Sequence, residues 1–571
     1  MRDSTTRAES LAPWLAGLLL ASPVLLFYYP PMTDLPLHEA AVSILRNFHD
    51  TAMFPPGLYR LNLGEPNQLF HMAAWPLAYL FGSRWAVKLV VAAAVVAVPA
   101  CAARFARYVG ASPVAALVVA PMALGWLFGW GLIANLVGLA ALLAMLPVLD
   151  RFEEEPTPRR AMQVLGALVL LYFAHEAMMF VFAGTALLFA ALHPLSWKKT
   201  LARVSPLAVG LAITVLQDVW QRPLMSPAVL AVPLRWHSVL HKVKRIPDII
   251  LPATEQLVQI AMLLLCVMAI GSFLWLRTRE RRAAGRAPSP EGSRLERLRT
   301  WALRYRWEVL AGGCFAIYLA FPLTLNGATL VYQRWFPPAF AMFVVVAAPR
   351  DLWIPAARIT RFIVFALPAA VLLATWPSFA DSGRSYRTLE DLLPLIERGS
   401  AVAELDLGPG DPARTFSLGP SGGRVLAARG GRLDFAFTDS PVSPVIIPKP
   451  IRWNESLIRL GFDGWAFRPE HDFRSFRYAL VRTTDANVAA LAQLTLEPEG
   501  RYVATAGEWV LFESTLPVVP VTSPQVHMPQ PPPEQLRDRA ARIVERMGGV
   551  PTISVPPEQQ PDPAAPNGQH F

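Results

Sequence analysis

The sequence predicts an α-helical polytopic membrane protein of about eleven transmembrane helices followed by a small α/β domain outside the cytoplasm. Three observations predict it. Across 571 residues the chain is 54% hydrophobic and 16% charged, more apolar than a water-soluble chain of this length needs. Apolar stretches long enough to enter a bilayer recur from residue 11 to about 377 and then stop. Arginine and lysine collect in some of the intervening loops and avoid others, the asymmetry that fixes membrane orientation.

The first stretch, Leu11 to Tyr29, has nineteen residues, enough at 1.5 Å each to cross a hydrocarbon core of roughly 30 Å. No small-residue cleavage pattern follows it, so it reads as a retained anchor. Further candidate spans are 67–82, 86–103, 111–129, 131–148, 161–175, 177–193, 203–219, 255–277, 308–326, 336–349 and 361–377, twelve apolar segments in all. The loops after residues 148, 193, 277 and 349 carry Arg151, Arg159, Arg160, Lys198, Lys199, an arginine-rich stretch, Arg350 and Arg358, which puts them in the cytoplasm. With the N-terminus also cytoplasmic and the C-terminal part outside, the number of crossings must be odd. The segment expected not to span lies between 111 and 148, where Gly125, Trp126, Gly129, Trp130, Gly131 and Asn135 interrupt the apolar run. Twelve true spans remain the alternative.

The net charge of +10 does not call for nucleic acid, because ten arginines fall between Arg277 and Arg306 in one loop. Cys101, Cys266 and Cys314 all sit inside apolar segments, where they read as packing residues and not as disulfide or metal ligands.

On this topology several polar clusters gather on the outer face: Asp34, His38 and Glu39; Glu65, Asn67, Gln68 and His71; His175 and Glu176; Trp236, His237, His241, Lys242, Lys244 and Arg245; Asn326, Gln333 and Arg334. Such groups cost roughly 2.5 to 3.5 kcal/mol each at a helix centre, so their concentration at one face marks that face as active. Residues 35–48 carry Leu37, Ala40, Ala41, Ile44, Leu45 and Phe48 on one stripe, the pattern of a helix lying on the membrane. Asp34 at its start has two readings, a helix cap or a functional carboxylate, and His38 and Glu39 are more than a cap requires. Asn67 reads as an interfacial cap or a binding residue; His71 lies in the first turn of the second span, and His175 with Glu176 sits where an outer hairpin turns. Asp34, His38, His71, His175 and Glu176 have the donor types of a divalent-metal site, without a diagnostic spacing. Arg334, between Tyr332, Gln333 and Trp335, has the fork geometry that clamps a phosphate, or else snorkels from an aromatic belt. There is no Gly-rich phosphate loop and no nucleophile elbow.

One N-terminal span, an outer loop opening with Asp34, a surface helix, the polar entry Glu65 to Gln68, and an expected cytoplasmic turn reading Gly82, four residues, Val87 and Lys88 together resemble the GT-C superfamily of membrane glycosyltransferases. The resemblance is to the bacterial branch related to the lipid A aminoarabinose transferase and the protein mannosyltransferases. It covers residues 1–110 in detail and the remainder as architecture. It implies an inverting transfer of a hexosyl or pentosyl group from a polyprenyl-phosphate-linked donor to a glycan, lipid or protein acceptor on the outer face of the cytoplasmic membrane. Asp34 is then the catalytic base, with His38 and Glu39 beside it, and Arg334 the phosphate clamp. Asn67, His71, His175, Glu176, Lys242 and Arg245 would bind substrate, and His38 or His175 would orient Asp34 or hold the sugar. The family's second acidic neighbour is absent, since Thr33 and Leu35 flank Asp34, and Glu65, Pro66 and Asn67 stand where many members have Lys and Pro-Pro.

The domains expected are 1–377 in the membrane, 378–518 outside it, and a Pro-rich, disordered tail over 519–571 with one short helix at Pro533 to Met547. In the outer domain the patterns predict strands at Arg424 to Ala428, Tyr478 to Arg482 and Glu508 to Phe512 and a helix from Ala486 to Leu494. A transporter or flippase, and a non-catalytic membrane scaffold with an outer interaction domain, are the competing functions. The polar groups at one face and the lack of internal repeats weigh against transport.

Overall fold

In hydrocarbon a chain must pair its backbone internally, and the apolar stretches accordingly form helices. The computed structural model describes residues 2–192, 197–221, 234–252, 254–283, 293–325, 328–408, 420–452, 460 and 464–523. Asn326, part of the arginine-rich loop and the tail from 524 onward, with its expected helix, lie outside these residues. The first half contains α1 (Arg2–Leu26), α2 (Leu35–Arg46), the short strand β1 (Arg60–Leu61), α3 (Leu69–Phe81) and α4 (Ser83–Tyr108). A 3-10 turn at Pro113–Val119 leads into α5 (Ala120–Leu124) and α6 (Trp126–Gly129), followed by α7 (Ile133–Glu154), α8 (Pro158–Ala174), α9 (Glu176–Leu192) and α10 (Trp197–Gln221). Then come α11 (Val239–Lys244), α12 (Ile246–Ile250), α13 (Gln256–Ala283), α14 (Arg294–Arg304), α15 (Arg306–Ala320), α16 (Phe336–Ala347) and α17 (Arg358–Leu392).

Contacts at the helix ends define two poles. At one, Tyr108 and Arg306 both bond Asp150, the Ser112 N–H donates to Pro349 O, Arg299 reaches the C-terminal carbonyls of α9, and Arg277 meets Glu308. At the other, Thr33 meets Gly129, Glu65 meets Gln221, and Lys242 meets the end of α15. Among the described residues eleven segments run between the poles: α1, α4, the stretch 113–129, α7, α8, α9, α10, α13, α15, α16 and α17. Six of them, α1, α4, α7, α10, α13 and α17, are long and apolar enough to cross a membrane by length and composition.

The contacts at the poles single out a different segment from the one expected not to span. Residues 113–129, although broken at Gly125, do pass from Ser112 at one pole to Gly129 at the other. The expected second span, 67–82, does not. At its start Gln68 donates to Val442 O at 3.0 Å, and just past its end Ser83 donates to Glu39 at 3.0 Å, so both ends of α3 stay at the pole that carries the C-terminal domain. The turn from Gly82 to Lys88 lies there too: Lys88 Nζ donates to Leu25 O at 3.2 Å and Phe27 O at 2.6 Å, closing the open carbonyls at the end of α1.

The C-terminal domain contains β2 (Ala401–Asp406), α18 (Gly422–Arg429), β3 (Arg432–Leu433), β4 (Val445–Ile446), α19 (Pro469–Asp472), β5 (Tyr478–Arg482), α20 (Ala486–Leu496), β6 (Gly500–Ala506) and β7 (Trp509–Ser514). Five strands form one mixed sheet in the order β3-β2-β5-β7-β6, with β2 parallel to β3 and β5, and β7 antiparallel to β5 and β6. The strand expected at Arg424 to Ala428 is helix α18 instead, because Glu404 on β2 receives the N–H groups of Ser421 and Gly422, each at 2.7 Å, and stabilises that helix start. The other expected elements stand where the patterns put them, and α17 runs unbroken across residue 378, so the bundle and the C-terminal domain share a helix.

Helix α2 is the plate between these parts. It is buried on both sides, under α18 and above α3 and α4, and not laid open on the membrane surface. Ser43 donates to Ala427 O at 2.6 Å, Tyr59 to Gly431 O at 2.7 Å, and β1 pairs antiparallel with β4.

Candidate active site

The N-terminal end of α2 meets the tip of the broken passage. The Thr33 N–H donates to Gly129 O at 2.9 Å and the Asp34 N–H to Trp130 O at 3.2 Å, so two carbonyls of the tip hold the backbone on which the Asp34 carboxylate is mounted. Gly131 follows with φ of +73°, a conformation a side chain resists, and a Cβ there would come 2.6 Å from Asp34 N. Asp34 begins the helix without a capping bond from its side chain. The carboxylate makes no hydrogen bond or ion pair within the described residues, which removes the cap as its explanation. It is half-buried, and burial pushes its pKa up to about 7 while the Arg334 guanidinium pulls it back.

Arg334 rides on a 3-10 turn, Tyr332–Trp335, at the start of α16. Its Nη1 faces His175 Nε2 at 3.4 Å and its Nη2 donates to Thr329 O at 3.3 Å, while Nε is buried without a partner among the described residues. His175 separates α8 from α9. Its Nδ1 accepts the Ala177 N–H at 3.1 Å and lies 3.5 Å from the amide nitrogen of Asn135, so a neutral ring carries its proton on Nε2. Two donors, His175 Nε2–H and the Arg334 guanidinium, therefore face one another with no acceptor between them. An oxyanion would satisfy both.

His38 and His71 form a second pair, with Nδ1 of His38 3.0 Å from Nε2 of His71 and Nε2 of His38 3.2 Å from Gly131 O. Phe70 and Phe437, the latter from the C-terminal domain, pack edge-on against the His38 ring. Asp34, His38, His71, His175 and Arg334 are thus all tied to one region, around the tip of the broken passage.

The other expected site residues have different neighbours. Glu39 is fully buried and points away, accepting from Tyr29 at 2.9 Å, Ser83 at 3.0 Å and Arg424 at 2.9 Å; Arg424 also grips Glu390 at 2.6 Å. Asn67 accepts the Glu176 N–H at 3.0 Å through its side chain and so serves the start of α9. Glu176 adds a carboxylate near Arg334. Lys242 donates to Leu319 O at 2.7 Å and Phe321 O at 2.5 Å, closing the end of α15, and Arg245 pairs with Asp248 at 3.2 Å. Lys242 Nζ also stands 5.0 Å from the centre of the Tyr332 ring. The five donors considered for a metal are divided between the histidine pair and the Arg334 group, and no cluster of three or more His, Cys, Asp or Glu side chains suited to a metal occurs among the described residues. Gly131 and Asn135 were visible in the sequence only as parts of a Gly-interrupted apolar run, which was the signal available for them.

No protein-family model and no curated protein matches the sequence. Among solved structures, the chain is similar to ArnT from Cupriavidus metallidurans in the apo state, with a TM-score of 0.50 and 12% identity over 92% of this chain and 100% of that one. ArnT from the same organism bound to undecaprenyl phosphate gives a TM-score of 0.47 and 14% identity over 91% and 98% of the two chains. The resemblance seen in residues 1–110 therefore extends to the architecture, and this chain shares the ArnT fold.

Proposed function

We propose that this chain is a membrane glycosyltransferase that moves a sugar from a polyprenyl-phosphate-linked donor to an acceptor at the pole bearing the C-terminal domain. The observation that carries the reading is the uncommitted Asp34 carboxylate beside two donors, Arg334 Nη1 and His175 Nε2–H, that face one another with no acceptor between them. A base and an oxyanion holder are the two parts a displacement at a sugar phosphate needs. Asp34 takes the acceptor hydroxyl proton as that oxygen attacks the anomeric carbon from the face opposite the phosphate. The bond from that carbon to the phosphate oxygen breaks with its electron pair on oxygen, and the freed phosphate is held by the guanidinium and by His175 Nε2–H. Configuration at the anomeric carbon inverts, and a phosphate leaving group needs no strong acid.

A recess of about 190 Å³ between α8, α9 and α10, lined by Leu165, Leu168, Val169, Phe173, Met179 and Ile213, suits a prenyl chain and lies about one helical turn from His175. Glu176 would hold sugar or acceptor hydroxyls; Glu39, Asn67 and Lys242, with their partners filled, would shape the site without touching substrate. The arginines support a cytoplasmic N-terminus and an external C-terminal domain, since Arg151, Arg160, Arg277, Arg306 and Arg350 all lie at the pole opposite that domain.

The test is release of polyprenyl phosphate from a polyprenyl-phosphate sugar by the purified full chain in lipid nanodiscs. The wild type should consume the donor in the presence of acceptor, and Arg334→Met should raise donor KM. Equal donor consumption by both proteins contradicts the assignment, and no turnover with any donor points to a scaffold.

A further inference from the structure

The geometry points to His71 as a positioning residue for Asp34, acting through His38 and the Gly131 carbonyl and not by contact with substrate; this rests on the reading of Asp34 as the base.

The direction of the chain follows from what each atom can do. A carbonyl oxygen only accepts, so His38 Nε2 carries the proton that reaches Gly131 O at 3.2 Å. In a neutral His38 ring Nδ1 is then a lone pair. Its partner at 3.0 Å, His71 Nε2, must donate. That leaves His71 Nδ1 as an acceptor, buried and without a partner among the described residues. A second proton on either ring would place a cation where His71 Nδ1 has nothing to donate to. Hydrogen bonding therefore runs one way, from His71 to His38 to the carbonyl.

The carbonyl at the end belongs to the tip that carries Asp34. Gly129 O and Trp130 O hold the N–H groups of Thr33 and Asp34, and Gly131, at φ +73°, sits so close that a Cβ on it would lie 2.6 Å from Asp34 N. Flanking rings at 5.2 and 4.7 Å keep His38 from swinging away. Without the His71 donor, His38 is free to shift its proton to Nδ1, which sets a lone pair against Gly131 O and loosens the tip. The Asp34 carboxylate moves with it, whereas Arg334 and His175 are mounted on other elements.

The experiment measures sugar-transfer kcat and donor KM for wild type, His71→Leu, His71→Gln, His38→Phe and the double variant His38→Phe/His71→Leu, with Asp34→Asn alongside. A displaced base should lower kcat about ten- to a hundredfold in His71→Leu, with donor KM moving by less than about threefold. His71→Gln, whose amide still reaches His38 as a donor, should recover most of the rate. Because the two histidines act in series, the double variant should be no slower than His38→Phe. Should His71→Leu fail to fold, His71→Asn, too short to reach His38, takes its place. An unchanged kcat, a loss confined to KM, or multiplying losses in the double variant overturns the positioning role while a slow Asp34→Asn leaves the base in place. A wild-type rate for Asp34→Asn removes the base, and the positioning role falls with it.

Discussion

Gly131 stands so close to Asp34 that a Cβ on it would lie 2.6 Å from the Asp34 nitrogen and 2.9 Å from the Asp34 Cβ, at a φ of +73°. Gly131→Ala therefore carries two penalties, a strained backbone costing about 1–2 kcal/mol and displacement of Asp34. Gly57, at φ +81° with nothing within 4 Å of its Cβ position, carries the strain alone. Thermal unfolding should fall for both Gly131→Ala and Gly57→Ala, and the transfer rate for Gly131→Ala only.

A carboxyl with a pKa near 7 makes transfer sensitive to pH in the neutral range. The base must be ionised, so the rate should rise with pH through about 7 and level off above it, and Asp34→Asn should remove that limb. Stability moves the other way. The folded pKa lies above the ordinary 3.8, so ionised Asp34 costs the folded state most above pH 7, and the cost fades as pH falls from about 7 towards 4. Asp34→Asn should unfold at a higher temperature than wild type at pH 8, with the difference narrowing at pH 5 and closing only near pH 4.

Arg424 joins the C-terminal domain to α2 by bonding Glu39 at 2.9 Å and Glu390 at 2.6 Å. Glu39 is fully buried, and removing its cation leaves an uncompensated charge, a loss of about 3 kcal/mol or more. Arg424→Gln should lower the unfolding temperature and open cleavage between the bundle and the C-terminal domain in limited proteolysis. Glu39→Gln, which keeps hydrogen-bonding capacity towards Tyr29 and Ser83, should lower it less.

If Arg334 holds the donor phosphate as proposed, Arg334→Lys is not a conservative change, because an ammonium cannot reproduce the planar fork. Donor KM should rise by about tenfold or more in Arg334→Lys, and His175→Phe should raise it further when combined. Titrating undecaprenyl phosphate as a competitive inhibitor checks this, since a loss of phosphate grip weakens inhibitor and donor alike.

The membrane class and most helix positions were legible because long apolar runs have few other ways to fold. The identity of the non-crossing segment was not. Residues 69–81 and 113–129 are both short and apolar, and what keeps α3 at one pole is a set of bonds to Val442 and Glu39, the first of them to a residue 374 positions away. Asp34, His38, His71, His175 and Arg334 stood out as ionisable residues beside apolar segments, and the structure gathers them around the broken passage. Glu39 and Lys242 stood out for the same reason, but Arg424, 385 residues on, engages Glu39, and helix-end carbonyls take up Lys242. Residue type showed where charge enters the bundle, while distant partners decided which charges are left over. Arg424 to Ala428 has strand-like composition, and the Glu404 carboxylate at its start makes it a helix.

The central claim is that Asp34 is the base for sugar transfer, and single-turnover transfer from a polyprenyl-phosphate sugar by wild type and Asp34→Asn, at pH 8 in nanodiscs with saturating donor, tests it most directly. The account predicts a rate lower by about a hundredfold or more in Asp34→Asn, with donor binding retained. Transfer at the wild-type rate by Asp34→Asn would contradict it.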